Sequence, residues 1–407
     1  MKPDPDGAAG DAARGLSTRA VHAGAVHAEA GAPVVTPIHQ TATFFTDAVP
    51  SGEVLYTRYG TNPNHVALAR KLSDLESADD ALVLASGNAA CMLALLSCTG
   101  AGGHIVAQRE LYGGTLRILT RELPRLGVSV TFLPDAEGWS AAVRGETRAL
   151  LMETPVNPTL RIPDIHEAAR VAHDASVPLI VDATFASPIN FRPLEHGADL
   201  VFHSATKYLG GHSDLTAGVV CGSAARIAEV KELLKSFGPV LDPHAVWLLE
   251  RGVKTLAVRM ARHNENGLAV ARWLEQHPAV AKVLYPGLES HPDHERARSL
   301  FSGFGGVVAL MVRGGDDAAL RVMKRLRLMC VAPSLGGVET LVSMPRFTSH
   351  AALSLEERHA IGVGDGFIRL ALGIEDSADL IADLDHALAG VEQLAEQPEA
   401  RASQPLL

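Results

Sequence analysis

At 407 residues, 47% hydrophobic and 20% charged, the chain has a globular composition and is long enough for more than one core. A net charge of −10 excludes a nucleic-acid-binding surface as its main business. No apolar run reaches membrane-spanning length, the acidic N-terminus from Met1 to Gly7 lacks the apolar core of a signal peptide, and the 18 histidines show no metal-ligand spacing. Cys91, Cys98, Cys221 and Cys330 stand in apolar contexts without paired spacing and read as reduced core residues of a cytoplasmic protein, not as a disulfide framework or a zinc site.

Residues 1–16 are rich in Gly, Ala, Asp and Pro and are expected to lack fixed structure. Residues 17–64 have little periodicity, but Tyr56 to Pro63 collects two tyrosines and Arg58. Such an arm either binds something or closes as a stacked surface loop. Asn64 to Glu76 reads as a helix and Asp80 to Ala85 as a buried strand. Ser86, Gly87 and Asn88 then open an apolar helix through Cys91 to Leu96. Strand, Ser-Gly turn and helix form an anion site, since free N–H groups at the helix start face the turn; the same serine also serves as a plain N-cap.

His104 to Ala107 is a strand, and Thr115 to Leu126 a helix opened by Tyr112, Gly113 and Gly114. Val128 to Phe132 and Ala149 to Met152 are strands, the second ending at Glu153 to Pro158. Asp164 to Ala175 is an amphipathic helix. Pro178 to Val181 is a strand ending at Asp182, and Asp199 to His203 one that runs into the Ser204 to Lys207 loop, with Ala217 to Cys221 next. Short apolar strands alternating with helices predict a mainly parallel α/β sheet, whose ligands sit at the carboxyl ends of strands. Ser86, Glu153, Asp182 and the Lys207 loop all fall at such ends.

Asp242 to His277 reads as one long helical stretch, a hinge between domains. Beyond it, strands at Gly305 to Met311, Leu328 to Val331 and Gly366 to Leu370, with helices at Asp316 to Arg327 and Ala378 to Glu392, predict a smaller α+β domain. It carries the Ser334 to Thr340 loop and the strand arginine Arg369. The expected division is a disordered 1–16, an arm over 17–64, a large domain over 65–260, a small domain over 261–396 and a tail over 397–407.

A lysine held between buried strands either keeps its head in water or escapes the cost of a buried ammonium. Escape comes through a lowered pKa or a bond to a carbonyl, and both make a nucleophile. With Lys207 stand Asp182, able to hold a pyridinium nitrogen protonated, the Ser86 and Gly87 anion turn, and Tyr112, able to stack on a flat ring. These are the parts that pyridoxal phosphate requires.

The stretches Tyr56 to Pro63, Ala85 to Gly87, Leu111 to Thr115, Glu153 to Pro158, Val181 to Pro188, His203 to Tyr208, Ser334 to Glu339 and Ile368 to Asp376 run in order along the chain. Together they resemble the Cys/Met-metabolism family of pyridoxal-phosphate enzymes, which holds cystathionine γ-synthases, cystathionine γ-lyases, cystathionine β-lyases and methionine γ-lyases. The resemblance implies the type I transferase fold, like that of aspartate aminotransferase, and a homotetramer built as a dimer of dimers. It implies that Lys207 bonds the cofactor and moves protons, that Asp182 pairs with the ring nitrogen and that Tyr112 stacks on the ring. Ser86, Gly87, Asn88, Ser204 and Thr206 would hold the phosphate, joined by Tyr56 and Arg58 from a neighbouring subunit. Arg369 would clamp the substrate carboxylate with help from Ser334 and Asn157, Tyr56 would reach the substrate, and Glu153 would support Asn157 and the ring.

Two positions depart from the family's habit, and a third from that of one member. Ala183 replaces an asparagine after Asp182, Asn88 replaces a methionine, and Gly114 stands where methionine γ-lyases carry a cysteine. Glu339 resembles the acid of γ-synthases and γ-lyases, placed to read the far amino group of cystathionine, or it is a solvated loop acid. The implied activity is γ-elimination or γ-replacement on sulfur amino acids, as in a cystathionine γ-lyase or γ-synthase. Methionine γ-lyase, cystathionine β-lyase and O-acylhomoserine sulfhydrylase stand as alternatives. An aspartate-type aminotransferase and a non-enzymatic, cofactor-binding regulator are the competing classes; the Tyr56 to Pro63 and Ser204 to Lys207 motifs disfavour the first, and no docking patch favours the second.

Overall fold

The structure is a computed structural model, and it describes residues 14–24, 30–49, 52, 54–134, 136–348, 351 and 354–391. The chain divides into two compact units. The first runs to Asn157 and adds Arg161–Ala261 and Ser299–Gly303; the second comprises Pro158–Leu160, Arg262–Arg298 and the chain from Phe304 onward.

The first unit is built on a seven-stranded sheet. Its strands are β1 (Asp80–Leu84), β2 (His104–Gln108), β3 (Ser129–Leu133), β4 (Thr147–Glu153), β5 (Leu179–Asp182), β6 (Leu200–His203) and β7 (Gly218–Gly222), in the order β1-β7-β6-β5-β4-β2-β3. All pairings are parallel except those of β7 with β1 and β6. The central strands are apolar runs with every residue buried, as a sheet covered on both faces requires. The α/β class with a mainly parallel sheet is therefore realised. One buried cluster joins Leu84, Ile105, Leu151, Ile180 and Phe202 to Leu93 and Leu95 of the helix Gly87–Cys98.

The register sets the site. Glu153 pairs with Asp182, and Asp182 with Phe202, so three neighbouring parallel strands end level with one another. Ser86, Asp182 and the Ser204 loop thus emerge at one edge of the sheet. The loop from β6 to β7 carries Lys207 and returns antiparallel, with His203 opposite Val219.

The second unit holds a five-stranded sheet of β8 (Val280–Leu284), β9 (Val307–Val312), β10 (Cys330–Val331), β11 (Leu341–Ser343) and β12 (Phe367–Ala371), in the order β10-β11-β12-β9-β8. It is antiparallel apart from β10 with β11. The helices Gly315–Arg325 and Ser377–Leu388 supply Val322, Leu380 and Leu384 to its core.

Two expectations need correction. The helical stretch over 242–277 is two helices, Pro243–Val253 and Leu256–Glu275. The Gly252 carbonyl accepts from the Thr255 amide, the Thr255 hydroxyl and Arg259 Nη2, which turns it away from a continuing helical ladder. A short helix, Leu16–His22, opens the arm; residues 1–13 of the segment expected to be disordered and the tail over 397–407 lie outside the described residues. The helix after Tyr112 is not uniform, since Gly113–Arg117 passes through a π segment, Ile118–Glu122, before Leu123–Arg125.

Candidate active site

Asp182 is 7% exposed at the end of β5. Its Oδ1 accepts two bonds from Thr184, from the amide at 3.0 Å and from the hydroxyl at 2.5 Å. Its Oδ2 accepts none among the described residues. The Thr184 oxygen in turn accepts the Ser204 amide at 2.9 Å. Thr184 therefore ties the acid of β5 to the first residue of the Lys207 loop. Sequence reasoning assigned Thr184 no role; a hydroxyl two residues after an aspartate is a turn signal, but its second partner is set by the β5–β6 register.

Glu153, 3% exposed, lies next to Asp182 on β4. Its Oε2 accepts the Tyr112 amide and its Oε1 the Asn157 amide, both at 2.7 Å. One carboxylate thus fixes the start of the Tyr112 turn and the loop leaving its own strand. Burial, and then the nearby Asp182 charge, push the Glu153 carboxyl well above the usual range, although both amide bonds favour its ionised form. Asp182 is also raised by burial, with the two Thr184 bonds opposing that effect. The two acids share one buried neighbourhood, and the Thr184 bonds favour negative charge on Asp182.

Ser86 caps the helix Gly87–Cys98 by accepting the Ala89 amide at 3.1 Å. That leaves the Gly87 and Asn88 amides at the helix start outside the cap. A Cβ on Gly87 would lie 2.6 Å from the Ser204 Cβ, so only glycine lets the two turns meet. Tyr112, Asn88 and Gly114 converge: a Cβ on Gly114 would lie 2.4 Å from Tyr112 Cε1 and 2.8 Å from Asn88 Oδ1. The Tyr112 ring is 43% exposed, and its phenol makes no bond among the described residues.

Lys207 is half-buried. Its amide donates to the Ser204 carbonyl at 3.1 Å, and its carbonyl accepts the Gly211 amide at 2.8 Å. Thr206 donates its hydroxyl to the Ala217 carbonyl at 3.2 Å and accepts the Ala217 amide at 3.0 Å, which closes the loop on the start of β7. Behind it the buried His203 ring meets Glu76 Oε1 at 2.6 Å. Cys91, on the helix behind the turn, is buried, and burial and the Asp182 charge raise its thiol; all four cysteines are free, but against the expectation of four core residues Cys98 is half-buried and Cys330, on the short edge strand β10, is exposed.

The structure does not join Tyr56 and Arg58 to these turns by any hydrogen bond among the described residues. Arg58 lies over the rings of Tyr56 and Tyr59, at 5.4 and 4.9 Å, and donates to the Lys235 carbonyl. In the second unit, Arg369 is 5% exposed on β12 and donates from Nη2 to the Ser334 carbonyl at 2.8 Å. Ser334 has φ 112°, a backbone strain that a non-glycine residue keeps only where its surroundings enforce it. Glu375 holds the far end of that loop through the Thr340 amide at 2.6 Å and hydroxyl at 2.8 Å; Glu339 lies between, half-buried.

The donor set of the first unit fits a phosphorylated pyridine. It offers a helix start with two amides outside its cap, the Ser86 and Ser204 hydroxyls beside it, a buried carboxylate with one open oxygen, and a half-buried amine on the adjoining loop. Among the described residues no group of three His, Cys, Asp or Glu side chains could hold a metal, and no helix is long and apolar enough to cross a membrane.

Comparison with known proteins agrees with this geometry. The family model described as Cys/Met metabolism PLP-dependent enzyme matches residues 17–389. L-methionine gamma-lyase of Porphyromonas gingivalis is 41% identical, over 92% of this chain and 97% of that protein. Cystathionine gamma-lyase of Bacillus subtilis is 39% identical, over 92% and 99%. The crystal structure of cystathionine gamma-lyase from Lactobacillus plantarum complexed with L-serine superposes with a TM-score of 0.88 at 34% identity, covering 93% of this chain and 100% of that one. The chain is an enzyme with the type I fold, pyridoxal phosphate is its cofactor, and it belongs to the Cys/Met-metabolism family of pyridoxal-phosphate-dependent enzymes.

Proposed function

We propose that the enzyme eliminates or replaces the group on the γ-carbon of a sulfur-containing amino acid or acylated homoserine, as a cystathionine γ-lyase or γ-synthase does. The observation that carries this reading is Tyr112. Its backbone is fixed by Glu153, its ring is exposed beside the Ser86 turn, and its phenol is uncommitted among the described residues. Such a phenol can give a proton to a departing thiol or carboxylate. Gly114 weighs against a methionine γ-lyase, because a larger side chain there would meet Tyr112 Cε1 and Asn88 Oδ1.

Bound pyridoxal phosphate supplies an electron-withdrawing ring that stabilises negative charge developing at the substrate's α-carbon. In the proposed mechanism Asp182 keeps the ring nitrogen protonated, and Thr184 keeps Asp182 charged and aimed. Ser86, Gly87, Asn88 and Ser204 would hold the phosphate; Thr206, expected among them, has its hydroxyl and amide both committed to the Ala217 carbonyl. Lys207 would hold the cofactor through its amine and, once free, would take the α-proton and return protons later in the cycle. The Lys207 amine, having passed on the α-proton, would take a second proton from the β-carbon, and Tyr112 would protonate the group that departs from the γ-carbon. Arg369 and Ser334 take the substrate carboxylate, with Asn157 assisting, and Glu339 reads a distal amino group. Water or a thiol then ends the cycle, which separates lyase from synthase.

The same reading takes the chain as a cytoplasmic homotetramer of two dimers, with the arm's Tyr56 and Arg58 completing a neighbouring subunit's phosphate site. In support, Val34 and Phe45 of the arm are fully exposed in the single chain. The test is a panel of cystathionine, methionine, homocysteine, and acylated homoserine with and without cysteine, scored for 2-oxobutanoate against newly formed cystathionine. Formation of neither product from any member would overturn the proposal.

A further inference from the structure

Arg259 is 3% exposed, and no carboxylate pairs with it among the described residues. Burial alone brings its guanidinium down to about 10. A buried, unpaired cation is costly, so its three bonds to neutral acceptors call for an explanation. Nη1 donates to the Tyr208 carbonyl at 2.7 Å, Nη2 to the Gly252 carbonyl at 2.8 Å, and Nε to the Thr255 hydroxyl at 3.0 Å. Tyr208 is the residue after Lys207.

The packing around this fork is built for close approach. A Cβ on Gly211 would lie 2.1 Å from Nη1, and Gly211 has φ +72°. A Cβ on Gly252 would lie 2.2 Å from the Gly210 carbonyl oxygen, so the end of the helix Pro243–Val253 rests directly on the Lys207 loop. On the other side of Lys207, the Thr206 hydroxyl is tied to Ala217 in both directions. The residues flanking Lys207 are therefore each held by a side chain. The planar fork donates to the Tyr208 and Gly252 carbonyls from two different nitrogens, whereas a lysine at 259 would offer a single nitrogen.

We propose that Arg259 is a positioning residue that fixes the backbone on the C-terminal side of Lys207, so that the amine meets cofactor and substrate in one orientation. The inference rests on the reading that Lys207 carries the cofactor. Displacing a reacting group by about 1 Å can cost about a hundredfold in rate, so the effect belongs in kcat.

The test uses holoenzyme of the parent, Arg259→Met and Arg259→Lys. Borohydride reduction fixes cofactor on the lysine that binds it, and peptide mass spectrometry reads the labelled fraction at Lys207. Arg259→Met is expected to lower kcat by about 30- to 100-fold with KM within about threefold, and to lower Lys207 labelling at limiting cofactor. Arg259→Lys is expected to fold like the parent and to fall between the two, and it decides the matter if Arg259→Met does not fold. Parent-like kcat and labelling in a folded Arg259→Lys, or kcat within about twofold of the parent in Arg259→Met, would overturn the inference alone. A parent unlabelled at Lys207 would overturn the underlying reading and the inference with it.

Discussion

Replacing Thr184 with valine keeps the side chain's shape and removes one oxygen that serves two partners. Asp182 loses its 2.5 Å hydroxyl bond and keeps the amide bond at 3.0 Å. The Ser204 amide loses its acceptor at 2.9 Å. A hydrogen bond to a charged group contributes about 1.5–3 kcal/mol, and an orphaned buried donor costs about 1–3 kcal/mol. The chain should lose about 2.5–6 kcal/mol of unfolding free energy, read by denaturant titration. The Thr184 bonds oppose the upward push of burial on Asp182, so losing the hydroxyl bond moves its pKa further up. At about 1.4 kcal/mol per pH unit, the acid limb of kcat/KM should move up by about one to two units. Thr184→Ser should restore the parent profile. A Thr184→Val enzyme whose acid limb moves by less than about 0.3 units would refute the proposed coupling of Thr184 to Asp182.

Glu153→Gln removes a carboxyl whose folded pKa lies above its unfolded one. The folded parent keeps a proton that the unfolded chain has released, so this group's contribution to stability is lost as pH rises from the ordinary glutamate range through the raised value. In chain stripped of cofactor, the variant's stability relative to the parent should therefore improve with pH, and a pH-independent difference would contradict the raised value. Gly87→Ala places a methyl 2.6 Å from the Ser204 Cβ and should weaken cofactor retention by about tenfold or more in equilibrium dialysis, while parent-like retention would refute the close approach of the two turns. Arg369→Ala should raise substrate KM by about 10- to 100-fold with little change in cofactor affinity, and an unchanged KM would remove Arg369 as the carboxylate clamp.

The sheet was legible because its central strands are short apolar runs ending in polar residues, and Glu153, Asp182 and Ser204 mark those ends without help from tertiary contacts. Elements that mix periodicities were harder. The helix Ala224–Phe237 went unread, although Ser223 caps it and Gly238 ends it, because only Ile227, Val230 and Leu234 are buried along fourteen residues. β11 has three residues, too few for any alternation to show, and β8 is interrupted by the exposed Lys282. The break after Val253 depends on a distant partner, the Lys207 loop that Gly252 touches, and no local pattern signals it. Thr184 and Arg259 escaped for the same reason: each acts on a partner supplied by another strand or loop, and neither residue type is unusual in its local sequence.

The most direct trial of the central claim uses cystathionine itself, which can be cut on either side of its sulfur. Holoenzyme should release 2-oxobutanoate and cysteine, Lys207→Ala should release neither, and both products can be quantified by mass spectrometry. Pyruvate with homocysteine would place the cleavage at the β-carbon, and a keto acid that retains the intact thioether would mark an aminotransferase; either result would contradict γ-carbon chemistry in this site.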